Sequence, residues 1–381
     1  LPDAAGNEFQ EAKVFMARSR IVELQVRVIE IPLKKTWEIS LYAAKCRAHA
    51  LVRVVTEDGV VGYGEASPAP AFMGESGYTI ETVVMKHLRE VLLGENCFNL
   101  AEIHRKMDRA IDGNTAAKAA VDIALHDAWG KSLGVPVRDL LGGTVRKEIP
   151  LAWSVGLQDF ESSVEEAKER FAEGYKVIKV KVGKDLDKDA RLVTRLRELF
   201  GAEVPLRLDA NQGYSPIDAV TLLRRLDACS LESFEQPVRK WDLEGMRYVR
   251  EHSGGVPIMA DESVSSLFDA GKVIRLGVAD LVNIKVGKVG GLYRACQIAA
   301  LVEAAGLRAA AGSNLELGIG EAASVHFVAS QGALSVPCDL LCGTELHARN
   351  VIVRPLSVEN GLIRCPDEPG LGVEVDEALF A

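Results

Sequence analysis

Cysteine is sparse in this chain: seven in 381 residues, scattered, odd in number and without a Cys-x-x-Cys pair. That distribution argues against a disulfide framework or a dithiol centre and predicts reduced, mostly buried thiols of a cytoplasmic protein. Long apolar runs are missing too. None reaches the roughly 18 residues a membrane span requires, so no membrane association is expected. Basic charge is in deficit, with 45 Lys and Arg against 54 Asp and Glu and a formal net charge of −9. A nucleic-acid surface would need clustered positive charge, so no nucleic-acid partner is expected. The seven histidines (49, 87, 104, 126, 252, 326 and 347) fall in predicted helices or loops rather than at strand ends, which counts against a zinc hydrolase. Leu1 to Phe15 lacks the basic and apolar blocks of a signal peptide. Met16 reads as a native start, and residues 1–16 are expected to be a tag, leader or disordered arm outside the fold.

The remaining composition is that of a globular protein long enough for two domains. Ile21 to Ile31 alternates and is rich in Val and Ile, which predicts a strand. Ala48 to Thr56 predicts a second, and Glu57-Asp58-Gly59 a tight turn into Val60 to Gly64. Thr79 to Leu93, Ala101 to Ala110 and the Ala-rich Ala116 to Leu133 have helical periodicity, the last ending at Gly134 with Pro136 beyond. A meander followed by helices predicts an α+β domain over residues 17–145. From Ile149 strands and helices alternate. Strands are predicted at Pro150–Val155, Val177–Val182, Leu206–Asp209, Leu231–Glu235, Ile258–Asp261, Leu281–Val286 and Leu307–Ala311, with a weak eighth at Cys338–Glu345. Eight strands with crossover helices match a (β/α)₈-type barrel over residues 146–345; a doubly wound open sheet is the alternative. The tail, residues 346–381, is expected to return and pack on the first domain.

Chemistry gathers at the strand ends. Twenty-six residues separate Asp209 from Glu235, and twenty-six separate Glu235 from Asp261. About that many make one strand-helix unit, so the three acids are expected at the same end of three adjacent strands. Each alone reads first as a helix cap. Three in register would repel one another unless a divalent cation sits among them, and all-oxygen ligands favour Mg²⁺ or Mn²⁺. Lys179 and Lys181 share one face of their strand because side chains alternate, and Lys285 ends a strand farther on. Lysines approaching a metal-held carboxylate from two sides suit removal and delivery of a proton at the neighbouring carbon, and one of them is expected to carry a lowered pKa.

These residues carry a resemblance. Lys179-Val180-Lys181, Asp209-Ala210-Asn211, Glu235-Gln236-Pro237, Ala260-Asp261-Glu262-Ser263 and Lys285 resemble motifs of the enolase superfamily, within it the muconate lactonizing enzyme subgroup, over Arg20 to Ala381. Enolase-superfamily sites with a lysine base and Mg²⁺ are a known case. The resemblance implies a modified TIM barrel, (β/α)₇β, with an N-terminal α+β capping domain. It implies Asp209, Glu235 and Asp261 as metal ligands, Lys181 and Lys285 as the acid/base pair, Lys179 beside them, and Asn211 and Glu262 as supports. It also implies a small-molecule carboxylate substrate and a homo-oligomer, often an octamer. The mandelate racemase subgroup is less similar, because the seventh strand here ends Ala310-Ala311-Gly312-Ser313 with no His.

The substrate is less legible. The expected activity is a metal-dependent isomerase working through an enediolate. A muconate-type cycloisomerase comes first, ahead of a racemase or epimerase of N-acyl amino acids, dipeptides or proline-like amino acids, an o-succinylbenzoate synthase-like enzyme, or an acid-sugar dehydratase. Candidate substrate-binding residues are Ser313, Glu316, Glu345, Phe72 and Met73, the last two in a lid loop Pro68–Tyr78, with Lys34–Lys45 as a second lid. His347 and Arg349 are expected at the surface.

Overall fold

The computed structural model describes residues 19–340 and 343–380; the arm expected over residues 1–16 lies outside the described residues. Three antiparallel strands open the fold: β1 (Ile21–Glu38), β2 (Ala43–Thr56) and β3 (Val61–Ala66). β1 and β2 run past the expected boundaries as far as Trp37↔Ala44 and Glu38↔Ala43. The segment expected as the loop Lys34–Lys45 is therefore a ribbon, with a register shift between Pro32 and Trp37 below its tip. Behind the sheet lie α1 (Leu100–Ala110) and α2 (Thr115–Leu133). Helix α2 is buried along most of its length, and its alanines let it lie flush on β3. A Cβ added to Gly64 would fall 1.9 Å from the Ala120 carbonyl oxygen, and one on Gly62 would fall 2.1 Å from that of Ala124. No side chain fits at either position. The region expected as one helix from Thr79 to Leu93 is continuous but takes a π-helical turn at Val84–Leu88.

The second half carries a parallel sheet of seven strands in sequential order. They are β5 (Ala152–Val155), β6 (Val177–Lys181), β7 (Leu206–Asp209), β8 (Ser233–Glu235), β9 (Ile258–Ala260), β10 (Leu281–Ile284) and β11 (Arg308–Ala311). Between and after them run α3 (Phe160–Ala172), α4 (Leu186–Phe200), α5 (Pro216–Arg225), α6 (Leu243–Glu251), α7 (Leu267–Leu276), α8 (Leu292–Ala304) and α9 (Gly318–Ser330). Asp159, Asp185, Ser215, Asp242 and Ser266 cap the N-termini of α3 to α7 with their side chains. Each cap contributes about 1 kcal/mol and marks where a loop gives way to helix. The apolar strands and inner helix faces form one large core, and the N-terminal sheet with its helices forms a second.

The eighth strand differs from expectation. Cys338 bridges to Leu151 and Asp339 to Gly312, which closes the ring between β5 and β11. Gly343–Leu346 then forms a helical turn rather than continuing the strand. The chain leaves the ring there because it is drawn toward β1, where His347 bridges to Leu33 and Lys34 donates to the Thr344 carbonyl at 2.6 Å. The tail contributes β12 (Val358–Glu359) and β13 (Leu362–Arg364), which pair with β4 (Glu148–Pro150). It also reaches the first sheet: Tyr63 donates its hydroxyl to Glu377 at 3.0 Å, and Asp127 accepts the Leu371 N–H at 2.8 Å.

The described cysteines are free thiols, and among the described residues no helix is long and apolar enough to cross a membrane. His49 lies on β2 rather than in a helix or loop, and His347 is buried, not at the surface as expected; Arg349 is exposed. The His49 and His347 rings meet edge to face at 5.1 Å. Burial pushes His49 down to about 3 and His347 down to about 4, from an ordinary 6.5. A folded-state pKa below the unfolded one gives stability that is complete above pH 6.5 and is lost as pH falls toward 4. We expect His347→Phe to lose less stability than the wild type between pH 6.5 and 4, by about 1.4 kcal/mol per pH unit. Thermal melts of both proteins at several pH values check this; a wild-type-to-variant difference that stays constant with pH contradicts it.

Candidate active site

Strand alternation builds the site. On β6 both Lys179 and Lys181 turn to the inside of the ring, and Lys181 pairs in register with Asp209 on β7, which pairs in turn with Glu235 on β8. Asp261 follows β9 directly and Lys285 follows β10. All six side chains are buried, and the structure brings them together at the C-terminal ends of the strands, the end where barrels of this type carry chemistry.

Ammonium and carboxylate groups alternate through this cluster. Lys179 Nζ lies 2.9 Å from Asp209, 2.8 Å from Glu235 and 2.6 Å from Asp339. Lys181 Nζ lies 2.6 Å from Asp209 and donates to Asn211 Oδ1 at 2.9 Å. Lys285 Nζ lies 2.7 Å from Asp261 on one side, and Lys288 Nζ 2.8 Å from it on the other. Asn211 donates to Glu262 at 3.1 Å, and Asn283 donates to Glu235 at 2.9 Å. Gly312 leaves room for that amide, since a Cβ there would sit 2.6 Å from Asn283 Oδ1. Asn211 and Gln236, just beyond β7 and β8, hold left-handed backbone with φ of 40° and 35°. Such strain persists where surrounding contacts over-determine it, and here it aims the residues that follow the acids.

The electrostatics follow from burial and neighbours. Burial, then the charge of Asp209, pushes Glu235 up to about 8. Burial and Asp261 push Glu262 up to about 7. Burial opposes the charge of Asp209 as well, but Lys179 and Lys181 outweigh it and bring that carboxyl down to about 2. The expectation of a lowered lysine pKa is not met at Lys179 or Lys285. Burial works to lower both, but the acids around them (Asp209, Asp339 and Glu235; Asp261 first for Lys285) hold them above the ordinary range. Burial lowers only Lys288 among the lysines with a resolved direction.

Among the described residues no three His, Cys, Asp or Glu side chains converge closely enough to hold an ion as they stand, because ammonium groups come between them. The donor set itself fits a hard divalent cation: three buried carboxylates at adjacent strand ends, all oxygen.

Sequence reasoning missed Lys288, Asp339 and Asn283. Placing the end of the eighth strand at Asp339 would have added that acid to the strand-end series. Lys288 reaches Asp261 through a short helical turn, Val286–Val289, that no periodicity marks.

A small pocket opens over Lys181, Lys285 and Asp339. Trp37, Ile39 and Tyr42 of the β1–β2 ribbon, and Phe72, cover it from the first domain. The Phe72 ring centroid lies 5.8 Å from Lys285 Nζ, and Lys240 donates to the Phe72 carbonyl at 2.7 Å. The loop carrying Phe72 is tied down farther on, where Glu75 accepts the Ala116 and Ala117 N–H groups at the start of α2. Ser313, Asn314 and Leu315 line the opposite wall. Leu315 holds φ of 63°, at a cost of about 1–2 kcal/mol, because Ser313, Ser67 and Glu316 fix the backbone around it.

Not every candidate reaches the pocket. Glu316 turns its carboxylate to the Ser313 hydroxyl and the Asn314 N–H, so it braces the wall rather than facing a ligand. Met73 lines the neighbouring groove beside α1 and α2. Glu345 lies in the Gly343–Leu346 turn and pairs with Arg170 at 3.1 Å, away from the pocket, because the eighth strand ends earlier than expected.

Removing the shared ammonium of Lys179 leaves three buried acids without it. We expect Lys179→Met to cost about 3–5 kcal/mol in urea unfolding. A loss under about 1 kcal/mol would show that these charges are solvated rather than mutually compensated.

Comparison with known proteins agrees with this geometry. Residues 21–142 match the mandelate racemase/muconate lactonizing enzyme N-terminal domain, and residues 162–379 match the enolase C-terminal domain-like family. The chain is 34% identical to the L-Ala-D/L-Glu epimerase of Clostridium acetobutylicum, covering 93% of this chain and 98% of that protein. It is 33% identical to a chloromuconate cycloisomerase of Pseudomonas putida, covering 94% and 97%. A crystal structure of a dipeptide epimerase from Enterococcus faecalis, complexed with Mg and the dipeptide L-Leu-L-Tyr, superposes with a TM-score of 0.89 at 33% identity, covering 93% and 99%.

Proposed function

The chain belongs to the enolase superfamily, in its mandelate racemase/muconate lactonizing enzyme family, and from that premise we propose that it isomerises a small carboxylate by moving a proton at the carbon next to the carboxyl group. Its relatives are isomerases, and members of the superfamily bind a divalent metal. We propose Asp209, Glu235 and Asp261 as the ligands here, Mg²⁺ as the ion with Mn²⁺ as a substitute, and Asn211 and Glu262 as their supports. When bound, the ion would hold the substrate carboxylate and steady the negative charge that develops as the proton leaves.

The protein's own residues do the rest. One observation carries the proposal: Lys181 and Lys285 come from the second and sixth strands and line the same pocket. A substrate between them meets an amine on each face. One takes or gives a proton at the α-carbon, and the other stands ready across it. Lys179, bonded to acids on three sides, keeps positive charge beside the carboxylate end. The Phe72 loop and the Trp37–Tyr42 ribbon tip keep water from the reacting carbon.

Cycloisomerisation of the muconate type is the first reading. Racemisation or epimerisation is the second, supported by the presence of both lysines where one would serve addition or elimination. We include in the proposal a cytoplasmic homo-oligomer, supported by the free cysteines and by the exposed Trp241 and Phe268.

Proton exchange tests the core of it. A panel of muconates, N-acyl amino acids, dipeptides and acid sugars incubated in D₂O with Mg²⁺ should show deuterium at the α-position or in a cyclised product of at least one member. Lys181→Ala and Lys285→Ala should each lower the rate about 10²–10⁴-fold, and chelation should abolish it until Mg²⁺ is restored. Exchange that survives both substitutions would remove these lysines from the mechanism.

A further inference from the structure

We infer that the substrate carries a single carboxylate and an uncharged, amide-bearing remainder, that of an N-acyl α-amino acid with an apolar side chain, and that Asn314 and Ser154 hold its amide. This rests on the proton-transfer reading above and narrows its substrate, setting racemisation or epimerisation of such a compound ahead of the muconate-type reaction named first there. Two side-chain atoms of the pocket lining, Ser154 Oγ on β5 and Asn314 Oδ1 beyond β11, have no hydrogen-bond partner among the described residues. Their residues are only 2% and 5% exposed. A buried polar atom left unpaired is costly, so a ligand that pairs it is favoured over one that does not.

Asn314 cannot turn away to find a partner elsewhere. Its backbone N–H is held by Glu316 at 2.8 Å, and its carbonyl accepts from Arg47 at 2.9 Å and from Ser67 at 2.8 Å. Its Nδ2 meets the weak acceptor Sδ of Met73 at 3.6 Å. A carboxamide so placed offers both an acceptor and donors, which is the complement of another amide. The Ser154 hydroxyl, on the other side of the ring closure, can donate or accept.

Charge argues the same way. Among the described residues, the charged ones lining this pocket are Lys181, Lys285 and Asp339, all at the reacting end. Toward the first domain the lining is Trp37, Ile39, Tyr42 and Phe72. Arg47 stands behind that wall, its two terminal guanidinium nitrogens committed to the Tyr42 and Ser67 hydroxyls and to the carbonyls of Pro68 and Asn314, with Nε alone unpaired among the described residues. In the groove beyond Lys181, Lys184 faces Glu38 and Lys188 faces Asp185. A second carboxylate on the substrate would lose water without gaining a cation, whereas an apolar side chain gains burial.

Calorimetric titration of the Mg²⁺-loaded protein tests this with N-acetyl-L-leucine, N-succinyl-L-leucine and cis,cis-muconate. N-acetyl-L-leucine should bind about tenfold or more tightly than either dicarboxylate. Asn314→Leu and Ser154→Ala should each weaken it by about tenfold while changing the dicarboxylates little. If Asn314→Leu folds poorly, Ser154→Ala carries the same comparison. Equal or tighter binding of a dicarboxylate overturns the inference, as does unchanged binding in the variants or no measurable binding of N-acetyl-L-leucine. Proton exchange on the bound ligand is scored separately. Selective binding without exchange upholds the ligand class and removes the proton-transfer reading instead.

Discussion

Charge compensation in a place where water is scarce is the constraint on which this molecule rests. Asp209, Glu235, Asp261 and Asp339 are buried beside Lys179, Lys181, Lys285 and Lys288. A single carboxylate or ammonium taken from water at such depth is costly, and it is tolerated only with partners of opposite sign at contact distance. Each barrel strand therefore cannot contribute its charge alone. The set has to assemble together, and only the closed ring of parallel strands brings residues so distant in sequence to one end. Fold and site are in this sense one requirement.

The same compensation explains how a single arrangement could serve several reactions. Burial and the neighbouring charge of Asp209 raise Glu235, while Asp261 and its fellow acids hold Lys285 above the ordinary range against its burial. A cation taken up by the carboxylates would compete with the ammonium groups for them, leaving the lysines to act on a ligand. On the proposed reading, the remainder of the substrate would meet the ribbon tip, the Phe72 loop and the Ser313–Leu315 wall rather than the charged floor.

Much of this was legible in the sequence, for physical reasons that also explain the rest. Asp209, Glu235 and Asp261 were visible because strand-helix units have nearly constant length, so equal spacing means equal depth. Lys179 and Lys181 were visible because strand side chains alternate. Asp339 was hidden because the eighth strand has two bridged residues among those described, too few to carry a pattern. The same misplacement put Glu345 at the mouth, although its helical turn sends it to Arg170. Lys288 was hidden because a four-residue turn brings it back to Asp261. The burial of His347 depends on His49 from another element, a contact local pattern cannot register. Lys179 and Lys285 are held above the ordinary range because the acids nearest each amine outweigh its burial.

The central claim is that the three acids are a cation site and that the lysines are its counterparts. Loading the protein with Mn²⁺ and locating the ion by anomalous scattering in a crystal addresses it directly. The account predicts one ion per chain, bound by carboxylate oxygens of Asp209, Glu235 and Asp261, and absent from the Glu235→Gln variant. An ion bound elsewhere, or none at all with the three acids still closed on their lysines, would contradict it.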